Sequence, residues 1–269
     1  MSRYSPMLTL SPSPPRQAAI EAEWLDMTEV AIENRRWLTA AVAATLVLSA
    51  LFWSFPAMDI AVSRWFYVDG QGFVGARSAA LVLLLKLGRW IGWAVGALMI
   101  AVLVAKVTRP ELVSPTVWRR WWLALLSVAL GPGLLVNGLL KAFMGRARPV
   151  QTRMFGGTAD FVPAWTYSTG CDSNCSFVSG EASFSLYLLV FAFWFAAGAS
   201  RTAALATLGL FGLGVSINRI AFGAHFLSDV MLAWALTAVV ILTADRWLVP
   251  RMPWVQSGGQ NLRASETRL

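Results

Sequence analysis

The only histidine of the chain, His225, stands four residues before Asp229. On one helix this spacing puts both side chains on the same face. Asp229 lies within an apolar stretch, where a carboxylate is costly and needs a partner. The pair could therefore supply a nucleophilic imidazole whose ring is held, and made more basic, by the carboxylate. A purely structural His–Asp pair is the alternative that the spacing leaves open.

Basic side chains cluster upstream of this pair. Lys141, Arg146, Arg148 and Arg153 follow an apolar stretch, and no acid occurs among them before Asp160. Such a cluster is often stop-transfer charge at the end of a membrane helix. It is also suited to binding phosphate, because the planar fork of arginine can form two hydrogen bonds to one phosphate group.

A third segment, Ser179-Gly180-Glu181, precedes another apolar stretch. Glycine allows a tight turn there, and the amide groups at a helix start form an anion-binding corner. Phosphoryl transfer depends mostly on positioning and charge stabilisation, so cations, a backbone corner and a histidine suit that chemistry. One histidine and two cysteines cannot form the usual four-ligand zinc site without carboxylates. We therefore predict no metal site and no cofactor.

The elements that must position these residues are membrane helices. The chain has 269 residues, of which 57% are hydrophobic and 13% are charged, against about 45–50% and about 25% in an ordinary globular protein. A soluble domain of this size could not bury so much apolar surface. The net charge of +8 contains no basic run longer than a pair. It therefore indicates contact with anionic lipid, and we predict a bilayer partner and no nucleic acid.

We predict an all-α, polytopic membrane protein built as a bundle of six transmembrane helices. Lipid offers the backbone no hydrogen-bond partners, and the apolar runs are continuous rather than alternating as in a β-barrel. The predicted spans are Trp37–Phe55, Ile91–Val107, Trp121–Leu140, Ala182–Ala199, Thr202–Ile217 and Phe226–Ala244. Residues 79–90 either extend the second span or lie in the interface. Gly131-Pro132-Gly133 is predicted to kink the third span.

The six spans form one predicted membrane domain, residues 37–248. An N-terminal leader, residues 1–36, is predicted to begin with a disordered Pro/Ser-rich stretch and to continue as an interfacial or a solvated helix. A flexible tail, residues 249–269, follows the domain. Basic residues divide evenly between the two faces, so their count does not decide the orientation. With both termini cytoplasmic, an even number of spans brings the three segments described above to the outer face.

Together, the three segments resemble the signature of the type 2 phosphatidic acid phosphatase superfamily, which reads KxxxxxxRP, PSGH and SRxxxxxHxxxD. Order and internal spacing match at residues 141–149, 178–181 and 218–229. The resemblance extends over residues 40–247 and includes the six-helix layout. Residues 55–66 also resemble the first outer loop of bacterial lipid A and phospholipid phosphatases of this group.

The resemblance implies a membrane lipid phosphatase that works through a phosphohistidine and needs no metal. In that mechanism His225 attacks phosphorus, Asp229 holds the imidazole ring, and water hydrolyses the intermediate. The implied phosphate-binding residues are Lys141, Arg148, Ser179, Gly180 and Arg219. On this basis Arg148→Lys is expected to be damaging. Arg146→Lys is expected to be mild, because Arg146 lies outside the motif positions.

Two positions depart from the family signature. Asn218 stands in place of the usual Ser, which is a small polar exchange. Glu181 replaces the histidine that protonates the leaving oxygen in the family. We expect Glu181 to take over as general acid, since burial and a bound phosphate dianion favour the protonated carboxyl. The same departure leaves open a non-catalytic lipid-phosphate binder, and a lipid phosphotransferase using the same intermediate is a further alternative.

The resemblance also implies a location in a bacterial inner membrane, with the active site on the periplasmic face. The substrate stays open at this point among lipid A, undecaprenyl diphosphate, phosphatidylglycerol phosphate and phosphatidate. Cys171 and Cys175 lie in the loop before the fourth span. If that loop faces an oxidising compartment, this spacing can close a small disulfide. Two free thiols are the alternative.

Overall fold

The computed structural model of the protein describes residues 15–195 and 198–248. Within these ranges the chain is mainly helical, with one antiparallel pair of two-residue strands, in which Tyr67 pairs with Phe73. The α-helices are α1 (Pro15–Ser54), α2 (Ala57–Arg64), α3 (Ala79–Thr108), α4 (Pro115–Val128), α5 (Lys141–Phe143), α6 (Gly180–Tyr187), α7 (Ala199–Ala221) and α8 (Leu227–Thr243). The strands are β1 (Tyr67–Val68) and β2 (Gly72–Phe73).

Five helical segments of the described chain are long and apolar enough to cross a membrane. They are Arg35–Ser54, Ala79–Thr108, Pro115–Phe143, Ala199–Ala221 and Leu227–Arg246. The prediction of an all-α, multi-pass membrane protein is therefore confirmed.

The fourth predicted span, 182–199, is wrong in its length. The apolar helix there is Gly180–Trp194, which begins as α6 and continues as a 3₁₀ helix from Leu188. With rises of about 1.5 Å per α residue and about 2.0 Å per 3₁₀ residue, this segment covers roughly 26 Å. The tighter winding of its second half stretches a short sequence, so the count of six full-length spans is not reproduced.

Helix boundaries bear on two further predictions, and they decide the first in favour of an extended second span. Residues 79–90 form the first turns of α3, where the hydroxyl of Ser78 accepts a hydrogen bond from the amide of Leu81 at 3.4 Å. Helix α1 continues without a break through the predicted boundary at residue 36. Residues 1–14 and 249–269 lie outside the described residues. The division into leader, membrane domain and tail therefore stays a prediction.

The third span changes its winding at the Gly-Pro-Gly sequence. Residues Ala129–Leu140, including Pro132, form a π-helix between α4 and α5. Proline has no amide hydrogen to continue the α-helical hydrogen-bond pattern, and π segments often occur at functional sites. In this protein the π-helix carries Asn137 and leads directly into Lys141.

Helix α8 is the packing centre of the bundle, because it contacts α1, α2, α4 and α6. A buried apolar cluster joins α1, the π-helix, the loop before α6, and α8 through Phe52, Val136, Phe177 and Leu232. The N-terminal end of α8 and the loops around residues 144–148 and 174–179 meet at one end of this cluster. That end carries the residues singled out by the sequence.

Two glycines allow the loops at this end to approach closely. Gly145 has φ +62°, and a side chain there would overlap the carbonyl oxygen of Ser168. Gly223, also with φ +62°, lies in the turn between α7 and α8, and a side chain there would overlap the ring of Phe73. Both positions need a left-handed backbone and the absence of a Cβ atom.

Cys171 and Cys175 are joined by a disulfide in the loop before α6, which is predicted to face the outside. In protein purified without reductant, we expect both cysteines to resist alkylation until a reductant is added. The variant Cys175→Ser frees Cys171, which is half-buried, and we expect a membrane-impermeant thiol reagent to label it in intact cells. Free alkylation of both cysteines without reductant would contradict the disulfide. Labelling of Cys171 only after lysis would contradict the outer location.

Candidate active site

His225 lies in the turn between α7 and α8, and its side chain is fully buried. Its Nδ1 atom is 2.7 Å from the carbonyl oxygen of Ser176. A carbonyl oxygen only accepts, so Nδ1 carries the hydrogen and donates it. Nε2 has no hydrogen-bond partner among the described residues and faces Oε2 of Glu181 at 3.6 Å. Nε2 is therefore the ring atom that is free for nucleophilic chemistry.

Asp229 acts on this ring less directly than the sequence predicts. Its Oδ2 atom is 3.8 Å from Nδ1 of His225, which is too long for a hydrogen bond. The same oxygen accepts from the hydroxyl of Ser176 at 2.5 Å and from the amide of Phe226 at 2.8 Å. Asp229 thus fixes Ser176 and the start of α8, and the Ser176 carbonyl in turn orients the imidazole.

The cations Lys141 and Arg219 border a cavity of about 600 Å³. Both side chains are buried, although each lies at the end of an apolar helix. Nη2 of Arg219 is 3.3 Å from Oε1 of Glu181, and Nε of Arg219 has no partner among the described residues. The structure therefore brings these two predicted phosphate-binding residues together at one end of the cavity.

Glu181 stands between this cavity and the histidine. Its side chain lines the cavity, whereas His225 is not among the lining residues. One carboxylate oxygen faces Nε2 of His225 and the other faces Arg219. The carboxylate, an anion, thus lies between the Arg219 guanidinium and Nε2 of His225.

Ser179 and Gly180 form the start of α6. The hydroxyl oxygen of Ser179 accepts from the amide of Ala182 at 3.3 Å and caps the helix, and the Ser179 amide donates to the carbonyl of Asp229 at 3.0 Å. A Cβ atom on Gly180 would lie 2.9 Å from Oδ1 of Asn137. Close approach to Asn137, rather than the predicted tight turn, is the reason for glycine here. Asn137 lines the cavity and was missed by the sequence reasoning.

Arg148 takes a different position from the other predicted phosphate ligands. Its Nε and Nη2 atoms donate to the carbonyl of Asn174, at 3.2 and 2.8 Å, inside the disulfide loop. It does not line the 600 Å³ cavity. A second cavity of about 340 Å³ lies next to this loop and is lined by Lys141, Asp172 and Asn174. The role of Arg148 in binding phosphate therefore stays a prediction.

Arg146, outside the motif positions, is the most enclosed charged residue of the site, with 1% of its side chain exposed. Nη1 donates to Oδ1 of Asp229 at 2.6 Å, and Nη2 donates to Oδ2 of Asp59 at 2.8 Å. Nε donates to the carbonyl of Val162 at 2.8 Å, and the guanidinium lies 4.4 Å from the ring centroid of Phe226. Each face and edge of the guanidinium group is thus engaged.

Asp59, from α2, completes this buried network. It accepts hydrogen bonds from the amide of Ser228 at 2.8 Å and from its hydroxyl at 2.6 Å. Burial by itself lowers the pKa of Arg146, but the carboxylates of Asp229 and Asp59 outweigh burial and hold that pKa above its ordinary value. Arg146 therefore stays charged between two buried acids and ties α2 to the start of α8.

This geometry predicts that Arg146→Lys is damaging, against the expectation from motif position that it is mild. A lysine carries one point of charge and cannot span both carboxylates. Sequence reasoning ranked Arg146 by motif position alone. A usable signal was present, because Asp59 and Asp229 are both buried acids in an apolar chain and each requires a cationic partner.

Comparisons with known proteins place the chain in a family. A family model described as the PAP2 superfamily matches residues 120–253. The chain is 34% identical over 210 residues to a lipid A 4'-phosphatase of Rhizobium leguminosarum, with 73% of this chain and 89% of the relative covered. The chain belongs to the PAP2 superfamily. It is therefore a multi-pass membrane phosphatase.

Two shorter matches and one solved structure agree with the family. The chain is 41% identical over 126 residues to a lipid A 4'-phosphatase of Rhizobium etli, covering 47% of this chain and 48% of that relative. It is 39% identical over 102 residues to a lipid A 4'-phosphatase of Francisella tularensis subsp. novicida, covering 38% of this chain and 46% of that relative. A transmembrane PAP2-type phosphatidylglycerolphosphate phosphatase from Bacillus subtilis has the same fold, with a TM-score of 0.52 and 20% identity over 79% of this chain and 94% of that chain.

The described residues contain no group of three or more His, Cys, Asp or Glu side chains placed to hold a metal ion. Four charged side chains line the cavity. Lys141, Glu181 and Arg219 lie at one end, and Arg89 lies along α3.

Substituting Arg146 by lysine tests the buried network. We expect Arg146→Lys to lower kcat by about 100-fold, because a displacement of about 1 Å in a catalytic group can cost that much. We also expect a lower Tm, because one buried carboxylate loses its partner. Arg153→Lys is the matched control, since Arg153 pairs with Asp160 in an exposed ion pair at 3.2 Å.

The variant Arg148→Lys, measured in the same assays, distinguishes a loss of phosphate binding from a loss of stability. We expect this variant to lose activity if Arg148 binds phosphate as the family signature implies, because lysine lacks the fork. We expect its Tm to be unchanged, because the Arg148 side chain is half-buried and bonds only to a loop carbonyl. An Arg146→Lys protein with the Tm and kcat of wild type would contradict the role given to the network.

Proposed function

We propose that the protein removes a phosphate monoester group from a lipid A-like glycolipid, through a phosphohistidine at His225. The observation that carries the proposal is the free Nε2 atom of His225, which faces Glu181, and Glu181 lines the cavity together with Lys141 and Arg219. The relatives named lipid A 4'-phosphatases support the substrate class. The cavity is consistent with a lipid substrate, because its walls are mostly apolar residues of α3, α6 and α7.

Glu181 is placed to exchange a proton with Nε2 of His225. Nδ1 of His225 needs a hydrogen to donate to Ser176, and Nε2 faces Oε2 of Glu181 at 3.6 Å. A proton carried by Nε2 would therefore lie between the ring and that carboxylate. Glu181 can therefore accept the Nε2 proton, which supplies the proton that a general acid needs.

Substrate binding converts this pair into a nucleophile and an acid. The phosphate dianion replaces Glu181 beside Arg219, and its charge favours transfer of the Nε2 proton to the Glu181 carboxylate. Nε2 then attacks phosphorus, and the bond from phosphorus to the lipid oxygen breaks. The electron pair leaves on that oxygen, which takes the proton from Glu181. Lys141 and Arg219 stabilise the charge on the equatorial oxygens.

Hydrolysis of the phosphohistidine reverses these roles. Glu181, again a carboxylate, accepts a proton from water as the water oxygen attacks phosphorus. The Nε2–phosphorus bond breaks, its electron pair returns to Nε2, and inorganic phosphate leaves with the water oxygen. Nε2 then takes back the proton from Glu181, which restores the starting state. The Ser176 carbonyl keeps Nδ1–H in place throughout, so the ring presents the same nitrogen in both steps.

The proposal includes a location in a bacterial inner membrane, with both termini cytoplasmic and the site on the periplasmic face. The disulfide between Cys171 and Cys175 supports this orientation, because disulfides persist in oxidising compartments. It closes the loop that accepts the hydrogen bonds of Arg148, on the same side as His225.

The nucleophile is tested by trapping the intermediate. With a lipid carrying radiolabelled phosphate, rapid quenching should give wild-type protein labelled by an acid-labile, alkali-stable bond, as expected for phosphohistidine. His225→Ala should remain unlabelled and lose turnover by about 10⁴-fold or more, while still binding the lipid. Turnover within about tenfold of wild type in this variant would contradict the mechanism.

A panel of lipids defines the reaction. Phosphate released from a phosphorylated glucosamine lipid, but slowly from phosphatidate, phosphatidylglycerol phosphate and undecaprenyl diphosphate, supports the proposed substrate class. A phosphorylated lipid product would instead indicate a phosphotransferase. A protein that binds these lipids and forms neither product would indicate a binder.

The variant Glu181→Gln tests the proton donor. We expect it to lose activity toward the lipid, whose alkoxide is a poor leaving group, and to keep turnover of an aryl phosphate that leaves without a proton. Glu181→His should restore lipid turnover with a pH optimum shifted upward. Asp160→Asn is a matched control, because the Asp160 carboxylate is 73% exposed. If Glu181→Gln hydrolyses both substrates like wild type, Glu181 is not the acid.

A further inference from the structure

Arg89 is a charged residue in the long membrane helix α3 that the proposed reaction does not use. Its side chain is exposed and lines the same 600 Å³ cavity as Lys141, Glu181 and Arg219. Within residues 35–195 and 198–246, whose side chains are described, Arg89 has no hydrogen bond or ion pair. A cation in a membrane span is costly and generally marks a function or a binding partner.

The helix register places Arg89 away from the phosphate end of the cavity. Nδ2 of Asn218 donates to the carbonyl of Leu81 at 2.6 Å, and a Cβ atom on Gly214 would lie 3.6 Å from Leu84. Helices α3 and α7 therefore run antiparallel, with Leu81 level with Asn218. Arg89 follows Leu81 by eight residues, which at about 1.5 Å per residue puts it about 12 Å along α3.

The cavity between the two ends has the character of a lipid-binding groove. Apolar side chains of Leu84, Leu85 and Val215 line it. A Cβ atom on Gly88 would meet nothing within 4 Å, so the helix surface beside Arg89 leaves open space. The same groove thus offers cations at one end, apolar walls along its length and a separate cation about 12 Å away.

We propose that Arg89 binds a second anionic group of the same lipid whose phosphate monoester binds Lys141 and Arg219. This inference rests on the proposed function and narrows its substrate class to lipids with two anionic groups, about 12 Å apart along the groove. The second group is a phosphate or a carboxylate, because the guanidinium fork of arginine pairs with either in two hydrogen bonds.

Lys86 supplies the matched control. It lies on α3 one turn before Arg89 and is also exposed, but it does not line the cavity. Lys86→Gln therefore removes the same charge from the same helix without altering the groove. Arg89→Lys keeps the charge and removes the fork.

The experiment compares two synthetic lipids that differ only in the second phosphate. In micelles of a neutral detergent, we expect Arg89→Gln to raise KM for the two-phosphate lipid at least about tenfold more than KM for the one-phosphate lipid, because an ion pair in a low-dielectric groove is lost. Arg89→Lys should give an intermediate shift, and Lys86→Gln should shift neither KM. Equal shifts for both lipids, or no shift, would overturn the proposal.

Bulk phospholipid could supply the same anionic chemistry. The same assay in vesicles with and without an anionic phospholipid distinguishes the two sources of anionic groups. An effect of Arg89→Gln that needs the anionic vesicle, and that is the same for both substrates, would assign Arg89 to bulk lipid and overturn the proposal.

Affinity measurements test the Arg89 subsite independently of the proposed reaction. In the His225→Ala background, the affinity for each lipid is measured without turnover. A selective loss of affinity for the two-phosphate lipid on adding Arg89→Gln supports the subsite, even if wild-type protein releases no phosphate from either lipid. That last result would refute the proposed function alone. If His225→Ala protein with and without Arg89→Gln has equal affinity for the two-phosphate lipid, the subsite alone is refuted.

Discussion

The arrangement of the site depends on one buried guanidinium group held between two carboxylates. Arg146 contacts Asp59 at 2.8 Å and Asp229 at 2.6 Å, and all three side chains are at most 1% exposed. Removing one partner from such a group leaves an uncompensated buried charge, which costs about 3–5 kcal/mol. The helix after the first span, the loop after the third span and the start of α8 are therefore held as one unit.

This unit fixes the position of the His225 ring through Ser176. Asp229 binds the hydroxyl of Ser176, the amide of Ser176 donates to the carbonyl of Arg146 at 2.8 Å, and the carbonyl of Ser176 accepts from His225. The imidazole is thus oriented by a backbone carbonyl whose own position is fixed on both sides. This leaves Asp229 free to serve the buried network while still acting, at one remove, on the catalytic ring.

Glu181 gives the resting site a different charge pattern from one with histidine in that position. Its carboxylate pairs with Arg219 and faces His225, so the anion site already holds an anion before substrate binds. In the proposed mechanism a phosphate dianion displaces that carboxylate, and in doing so it favours the protonated form that the leaving group requires. The proposal thereby couples binding and proton supply through one side chain, which lies between the cavity and the buried histidine.

The sequence by itself determined the membrane class and the helical architecture, and it singled out His225, Lys141 and Arg219 as candidates, because hydrophobic runs and motif spacing are local properties. It did not determine that the apolar helix Gly180–Trp194 is short and ends in 3₁₀ winding. Only the tertiary structure decided that Arg146 is enclosed, that Ser176 orients the histidine and that Arg148 bonds to the disulfide loop. These contacts join residues 26 to 87 positions apart, and no local pattern records which of several nearby arginines fills a buried space between two acids.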